Sequence, residues 1–374
     1  MKKYTSIVLS TVFLFVLAAC SAAPTTASSS IQLPNEPAYV SSIAGLEAAN
    51  LDGRRLRVVA TTNLVGDLLS QVGGEAIELT TLLPTNADPH SYTPTPQDLR
   101  AVAEADVIMV SGFGLEEGLG ETLDSVGGDV PIISLSEGIR PRAFSFEIAH
   151  DEAHDADHAD DLHDEHDEAH DADHADDHHD EHDEAHEAED HQHAHEGVDP
   201  HVWFDPANIE RWGANAAAAL SQLDPDQAEV FEANHAAYSR ELDALDAWIT
   251  EQVNRVPADA RRLVTDHGAF GYFADRYGFD VIGAVIPAYS TTASSSPQDL
   301  TMLLEAIETY DVQAVFVGVS VNPTMAERVA EDSGVALIPL YTGSLSDPSG
   351  PASTYLALMR YNVSAIVNGL WGEG

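Results

Sequence analysis

The chain has one cysteine, Cys20, and two lysines, Lys2 and Lys3, among its 374 residues. A lone cysteine excludes any internal disulfide, so no covalent staple supports the fold. With lysine confined to the first three positions, fourteen arginines face 63 acids, and the formal charge is −47. No basic stripe is present to neutralise phosphate, which excludes nucleic acid as a partner. A lysine-free, acidic surface is also compatible with a saline habitat. Long apolar runs are scarce too. The one candidate, "SIVLSTVFLFVLAA" (6–19), falls short of the roughly 20 apolar residues that span a bilayer.

Behind Lys2 and Lys3 that run reads as a secretory signal, residues 1–19. Its end, "LAAC", resembles the lipobox of bacterial lipoproteins, in which the cysteine is lipidated and becomes the new N-terminus. Cys20 is therefore the expected lipidation site and membrane anchor. The alternative is an ordinary signal followed by a free thiol. Residues 20–50 are small, polar and proline-bearing, as suits a flexible tether. The remaining roughly 320 residues exceed one comfortable core and imply two domains.

One tract is unlike the rest. "HDEAHDADHADDLHDE" (150–165) is followed directly by "HDEAHDADHADDHHDE" (166–181), with Leu162 replaced by His178, and a decaying third copy begins at His182. It holds His150, His154, His158, His163, His166, His170, His174, His178, His179, His182, His186, His191, His193 and His195. No lysine or arginine occurs from Ala143 to Glu210. Such a segment cannot bury apolar surface, so an insertion over 147–197, disordered without ligand, is expected. A solubilising linker is the plain reading. Imidazole is, however, a good transition-metal ligand, which makes these histidines candidates for auxiliary metal capture.

On either side of the tract, short apolar runs alternate with helical patterns. Strands are expected at Leu56–Ala60, Ile77–Leu83, Val107–Ser111 and Ile132–Leu135, then at Leu263–Thr265, Val281–Ile286, Ala314–Val319 and Ala336–Leu340. Helices are expected at Leu64–Val72, Pro96–Ala105, Phe270–Tyr277, Pro297–Tyr310 and Pro323–Ser333. This is the alternation of an α/β fold with mainly parallel sheets. Between the two sets, Asp224-Pro225 opens an apolar pattern through Phe231, Tyr238, Leu242, Leu245, Ile249 and Val253. One rigid helix over 225–255, roughly 45 Å long, would join a lobe at 51–224 to a second at 256–374.

Outside the tract only His90, His201, His235 and His267 remain. His90 and His201 each end an Asp-Pro-His triplet, one on either side of the tract, and His267 follows the strand "LVT". Loops at the carboxyl ends of parallel strands line ligand crevices, so three loop histidines could converge on one cation. A lone histidine is more often a surface or core residue, and spacing alone leaves both readings open. His235 is expected to face solvent, and Trp203, Trp212 and Tyr92 to pack.

The stretches "ATTNLVGDLLSQVGG", "LLPTNADPHSYTPTPQDL", "ADVIMVSGFGLE", "DPHVWFDP", "VTDHGAFGYFADRYG" and "TYLALMRYNVSAIVNGL" together resemble the substrate-binding proteins of zinc and manganese ABC importers. The likeness runs over nearly all of residues 55–370. It implies two α/β lobes joined by one long helix, with metal in the cleft on His90, His201 and His267. It also implies an extracytoplasmic, lipid-anchored monomer that serves an ABC permease and its ATPase. Zinc members carry a His- and acid-rich loop before the second triplet, where the tract stands. Manganese members place an aspartate where Gly343 falls, and many members have glutamate at Gly318. Asp347, the nearest acid to Gly343, is then the candidate fourth ligand, with water or a tract acid as alternatives.

Three neutral imidazoles suit Zn2+, whereas Mn2+ prefers more oxygen ligands and is the alternative cargo. A metal buffer or adhesin remains a second reading. A secreted zinc hydrolase is the third, although it would need a general base, and only Asp266 is near. No H-E-x-x-H motif occurs.

Overall fold

The computed structural model describes residues 41–143, apart from 117, 118, 120, 121, 124, 125, 127 and 129, and residues 197–371. The expected signal, Cys20 and all fourteen tract histidines lie outside the described residues.

Two four-stranded sheets carry the molecule. The first comprises β1 (Leu56–Ala60), β2 (Ile77–Thr81), β3 (Val107–Val110) and β4 (Ile132–Ser134), in the order β2-β1-β3-β4. The second comprises β5 (Arg262–Thr265), β6 (Asp280–Ala284), β7 (Ala314–Gly318) and β8 (Ala336–Leu340), in the matching order β6-β5-β7-β8. Every pairing is parallel. The central strands β3 and β7 are buried at every residue, as a sheet covered on both faces requires. Strands end a residue or two from their expected limits. In β2, Leu82 and Leu83 still donate to Ala60 and Thr61, but Pro84 has no amide to continue.

The connecting helices are α1 (Asn63–Gly73) and α2 (Pro96–Ala103) in the first lobe, then α5 (Gly271–Tyr277), α6 (Pro297–Thr309) and α7 (Thr324–Ser333) in the second. α2 and α6 start identically. Thr95 and Ser296 each accept from the amide three residues on, while Asp98 and Asp299 return the bond, and Pro96 and Pro297 open the helices. This is a capping box with proline at the first helical position. It recurs in "TPQDL" and "SPQDL", a repeat between the lobes that local patterning did not reveal.

The expected long helix joins the lobes, and among the described residues a second helix precedes it in the chain. α3 (Pro206–Leu223) is capped by the Asp205 side chain, which accepts from Ala207 N. α4 (Ala228–Val253) is shorter than the expected 225–255, because Pro225–Gln227 forms a 3-10 turn and Asp224 makes no side-chain cap. Asp224 instead ends α3, its amide donating to Leu220 O. At 26 residues α4 is about 39 Å long. It packs against α1 of the first lobe and against the terminal helix α8 (Tyr355–Trp371) of the second. Phe231, Tyr238, Leu242, Leu245, Ile249 and Val253 are all buried in a core that runs continuously from Leu56 to Leu370. The long helix is thus welded into both lobes.

The expected tether does not extend over residues 41–50. Ile43 is buried, Ser41 N donates to Ile132 O at 2.7 Å, and Ala49 N donates to Leu223 O at 2.9 Å. Satisfied backbone and a buried isoleucine hold this segment against the first lobe. His235 departs from expectation too. It is half-buried where α4 meets α3, over Gly213 and 3.6 Å from Glu210. Trp203 and Trp212 are fully buried.

Candidate metal centre

The two Asp-Pro-His triplets fold into the same turn. The carboxylate of Asp88 accepts from His90 N at 3.0 Å, and that of Asp199 accepts from His201 N at 2.9 Å. An aspartate bonding the amide two residues on is an Asx turn, and the intervening proline limits its freedom. His267, at the carboxyl end of β5, has a related anchor, since Asp266 Oδ1 accepts from its amide at 2.8 Å.

These turns bring the three rings together. His90, His201 and His267 are buried, with 6 %, 0 % and 2 % of their surface exposed. Their ligand atoms all lie within 4.8 Å of one another. Nε2 of His201 is 3.2 Å from Nε2 of His90 and 3.2 Å from Nε2 of His267. Tetrahedral zinc with bonds of about 2.0–2.1 Å would set its nitrogens about 3.3 Å apart, close to this spacing.

Carboxylates on the far sides of two of the rings, those of His201 and His267, aim them. Asp199 Oδ1 stands 3.0 Å from His201 Nδ1, and Asp266 Oδ1 stands 2.9 Å from His267 Nδ1. With the hydrogen on Nδ1 donated outward, each Nε2 presents its lone pair to the shared point. Asp266 uses its second oxygen as well, accepting from Gly318 N at 2.8 Å. Both of its oxygens are committed, so it is not placed as a free general base.

Electrostatics separates the rings. Burial, and then the facing imidazoles, push His90 and His201 well below the usual 6.5. Burial also acts downward on His267, but the adjacent Asp266 carboxylate outweighs it and raises the group. Asp199 is pushed up to about 8 by complete burial, against the opposing pull of the His201 amide and the Arg142 charge. Burial thus favours the neutral, ion-binding form of His90 and His201, while Asp266 favours the cationic form of His267.

Asp347 is not part of the cluster. It is exposed, and its carboxylate accepts from Thr85 Oγ1 at 2.6 Å. The chain passes the site at Gly343, where a Cβ would fall 2.8 Å from Pro89 Cδ, so no side chain fits between this segment and the first triplet. A Cβ on Gly318 would likewise meet Thr342 Oγ1 and Asp266 Oδ2. Among the described residues the ligand-competent group is three imidazoles without a carboxylate. The tract is outside the described residues, but its flanks are paired. Ala143 bridges Val198, and Asp199 N donates to Arg142 O at 2.8 Å, two residues from His201.

Residues 58–369 match the family described as zinc-uptake complex component A, periplasmic. Among similar proteins, the manganese-binding lipoprotein MntA of Halalkalibacterium halodurans is 29 % identical over 85 % of this chain and 90 % of its own. The manganese ABC transporter substrate-binding lipoprotein PsaA of Streptococcus mitis is 27 % identical over 85 % and 90 %. The solved periplasmic zinc binding protein TroA from Treponema pallidum superposes with a TM-score of 0.66 and 25 % identity, covering 84 % of this chain and 99 % of that one. Its fold is the two-lobed α/β architecture described above. The chain belongs to the zinc-uptake complex component A family, whose members are substrate-binding proteins of ABC importers and not enzymes.

Proposed function

We propose that this protein captures Zn2+ outside the cytoplasm on His90, His201 and His267 and delivers it to an ABC permease driven by its ATPase. The observation that carries the choice of zinc is the donor set. Three buried imidazole nitrogens converge at a spacing suited to a tetrahedral ion, and no carboxylate joins them among the described residues. Zinc accepts such ligands with one further oxygen, whereas manganese prefers more oxygen ligands and stands below zinc in intrinsic affinity. Water completes the shell in this reading. The competing reading is Mn2+, favoured by the names of MntA and PsaA.

The protein acts as a monomer held to the membrane by a lipid on Cys20. No helix among the described residues is long and apolar enough to cross a membrane. The histidine tract serves as a collector of lower affinity than the buried site. Its carboxylates favour protonated imidazole, so protons displace zinc from it readily.

Metal analysis and titration of the full chain and of a variant lacking residues 147–197 test these assignments. One tight zinc should survive the deletion and resist excess manganese, while extra, weaker sites at about pH 7.5 should belong to the full chain alone and mostly vanish by about pH 5.5. Manganese displacing zinc at equal concentration would overturn the choice of metal. Equal stoichiometry in both proteins at the higher pH would reduce the tract to a solvated linker.

A further inference from the structure

We infer that Arg142 is a positioning residue of the metal centre, linking the carboxylate that aims His201 to the second lobe through Asp275. The inference rests on the zinc-binding reading above.

Asp199 has one oxygen committed and one not. Oδ1 accepts from both the amide and the ring of His201, while Oδ2 is buried without a hydrogen-bond partner among the described residues. The nearest cation to it is Arg142, with Nη1 at 3.8 Å. That distance is in ion-pair range but too long for a hydrogen bond. Arg142 is meanwhile drawn from the other side, since its Nε donates to Asp275 Oδ2 at 2.8 Å. The guanidinium thus stands between a buried carboxylate of the first lobe and an exposed one on α5 of the second.

Further contacts fix that position. Arg142 N donates to the Tyr272 hydroxyl at 3.1 Å, and that hydroxyl donates to Arg140 O at 3.1 Å. Gly271, the first residue of α5, lies so close that a Cβ on it would strike the Arg142 guanidinium and come 2.5 Å from Asp199 Oδ2. Only a glycine lets the helix backbone approach the pair. α5 begins four residues after His267. His201 and His267, on different lobes, are therefore joined twice: across the ion they face, and behind it through Asp199, Arg142 and α5.

The physical consequence follows from burial. A buried carboxylate left without its cation is strongly disfavoured, and it relaxes by turning away from the His201 ring. That loosens the bond that aims His201 Nε2 at the ion. Asp275 matters less directly, because it holds Arg142 and not Asp199.

The test is zinc release from the full chain to an excess of a chromogenic chelator, for the native protein and for Arg142→Gln, Arg142→Lys and Asp275→Asn. Tryptophan fluorescence follows the buried site separately, because the Trp203 ring lies 5.2 Å from that of His201 and residues 144–196 contain no tryptophan. Arg142→Gln should release zinc roughly 10- to 100-fold faster, as loss of an outer-shell partner does. Asp275→Asn should act in the same direction with smaller size, and Arg142→Lys should restore most of the retention. Melting of the zinc-free proteins should change little. Native release rates in Arg142→Gln and Asp275→Asn would overturn the inference. So would an Arg142→Lys protein as leaky as Arg142→Gln, or loss of cooperative melting in the zinc-free variants, which would make Arg142 a residue of the fold. A native protein that binds no zinc would instead overturn the proposed function on which the inference stands.

Discussion

Pro89, in the first Asp-Pro-His triplet, packs against the backbone of Gly343 in the opposite lobe, and a Cβ placed there would fall 2.8 Å from Pro89 Cδ. The contact closes the cleft beside His90 and leaves no room for a ligand from that strand of chain. Gly343→Ala should therefore destabilise the protein by about 1–3 kcal/mol, the usual cost of overpacking a tight site. Gly343→Asp should cost at least as much without adding a ligand. Denaturant midpoints of the zinc-free proteins measure this, and unchanged midpoints would mean that the Pro89 loop yields freely.

Asp266 should matter to zinc out of proportion to its size. Its two oxygens accept from the His267 ring and amide on one side and from Gly318 N on the other. In Asp266→Asn one of these N–H groups must face an amide NH2, whichever way the side chain turns. Zinc affinity should fall roughly 10- to 100-fold with one ion still bound. Removing the ligand itself, in His267→Ala, should cost more. Competition titration against a chelator of known affinity ranks the two.

The three histidines should not titrate together. His90 and His201 are held below 6.5, so their neutral forms favour the fold above that value, and this contribution is lost as pH falls below 6.5 toward their depressed values. His267 is raised, so its contribution is complete below 6.5 and is lost as pH rises through its folded value. In the window just above 6.5, zinc must then displace one proton from the three rings, that of His267, and not three. As pH falls through that window the logarithm of the apparent zinc association constant should decrease by about one unit per pH unit, steepening only at lower pH as protons compete for the other two rings. A slope near three just above 6.5 would contradict this ordering.

Cys20→Ser, with the export signal otherwise intact, should convert a membrane-held protein into a soluble one. Fractionation after a salt wash measures the change. Persistent membrane attachment of the variant would remove the lipid anchor from the proposal.

Much of the architecture is written locally. Buried parallel strands are short apolar runs, and Val107–Val110 and Ala314–Gly318 show this without any partner in view. α3 is absent from the sequence-based expectations, although Ile209, Trp212, Ala216, Leu220 and Leu223 on its buried face keep helical spacing. Its start, Asp205-Pro206, carries the same kind of signal as Asp224-Pro225. There the signal misled, because the aspartate terminates one helix instead of capping the next.

The candidate ligands were legible in part for a related reason. Their loop positions made His90, His201 and His267 candidates, and the family resemblance decided between ligand and ordinary histidine. Their convergence could not be read locally. His90 and His201 are 111 positions apart, and His201 and His267 are 66 apart. Only the docking of two sheets through α4 brings their nitrogens to 3.2 Å. Asp347 shows the converse, because closeness along the chain to Gly343 does not decide which way a side chain faces, and Thr85 holds it outward. The part played by Arg142 was equally invisible. Its partners, Asp199 and Asp275, lie on different lobes, and a long-range ion pair leaves no period or spacing in a single sequence.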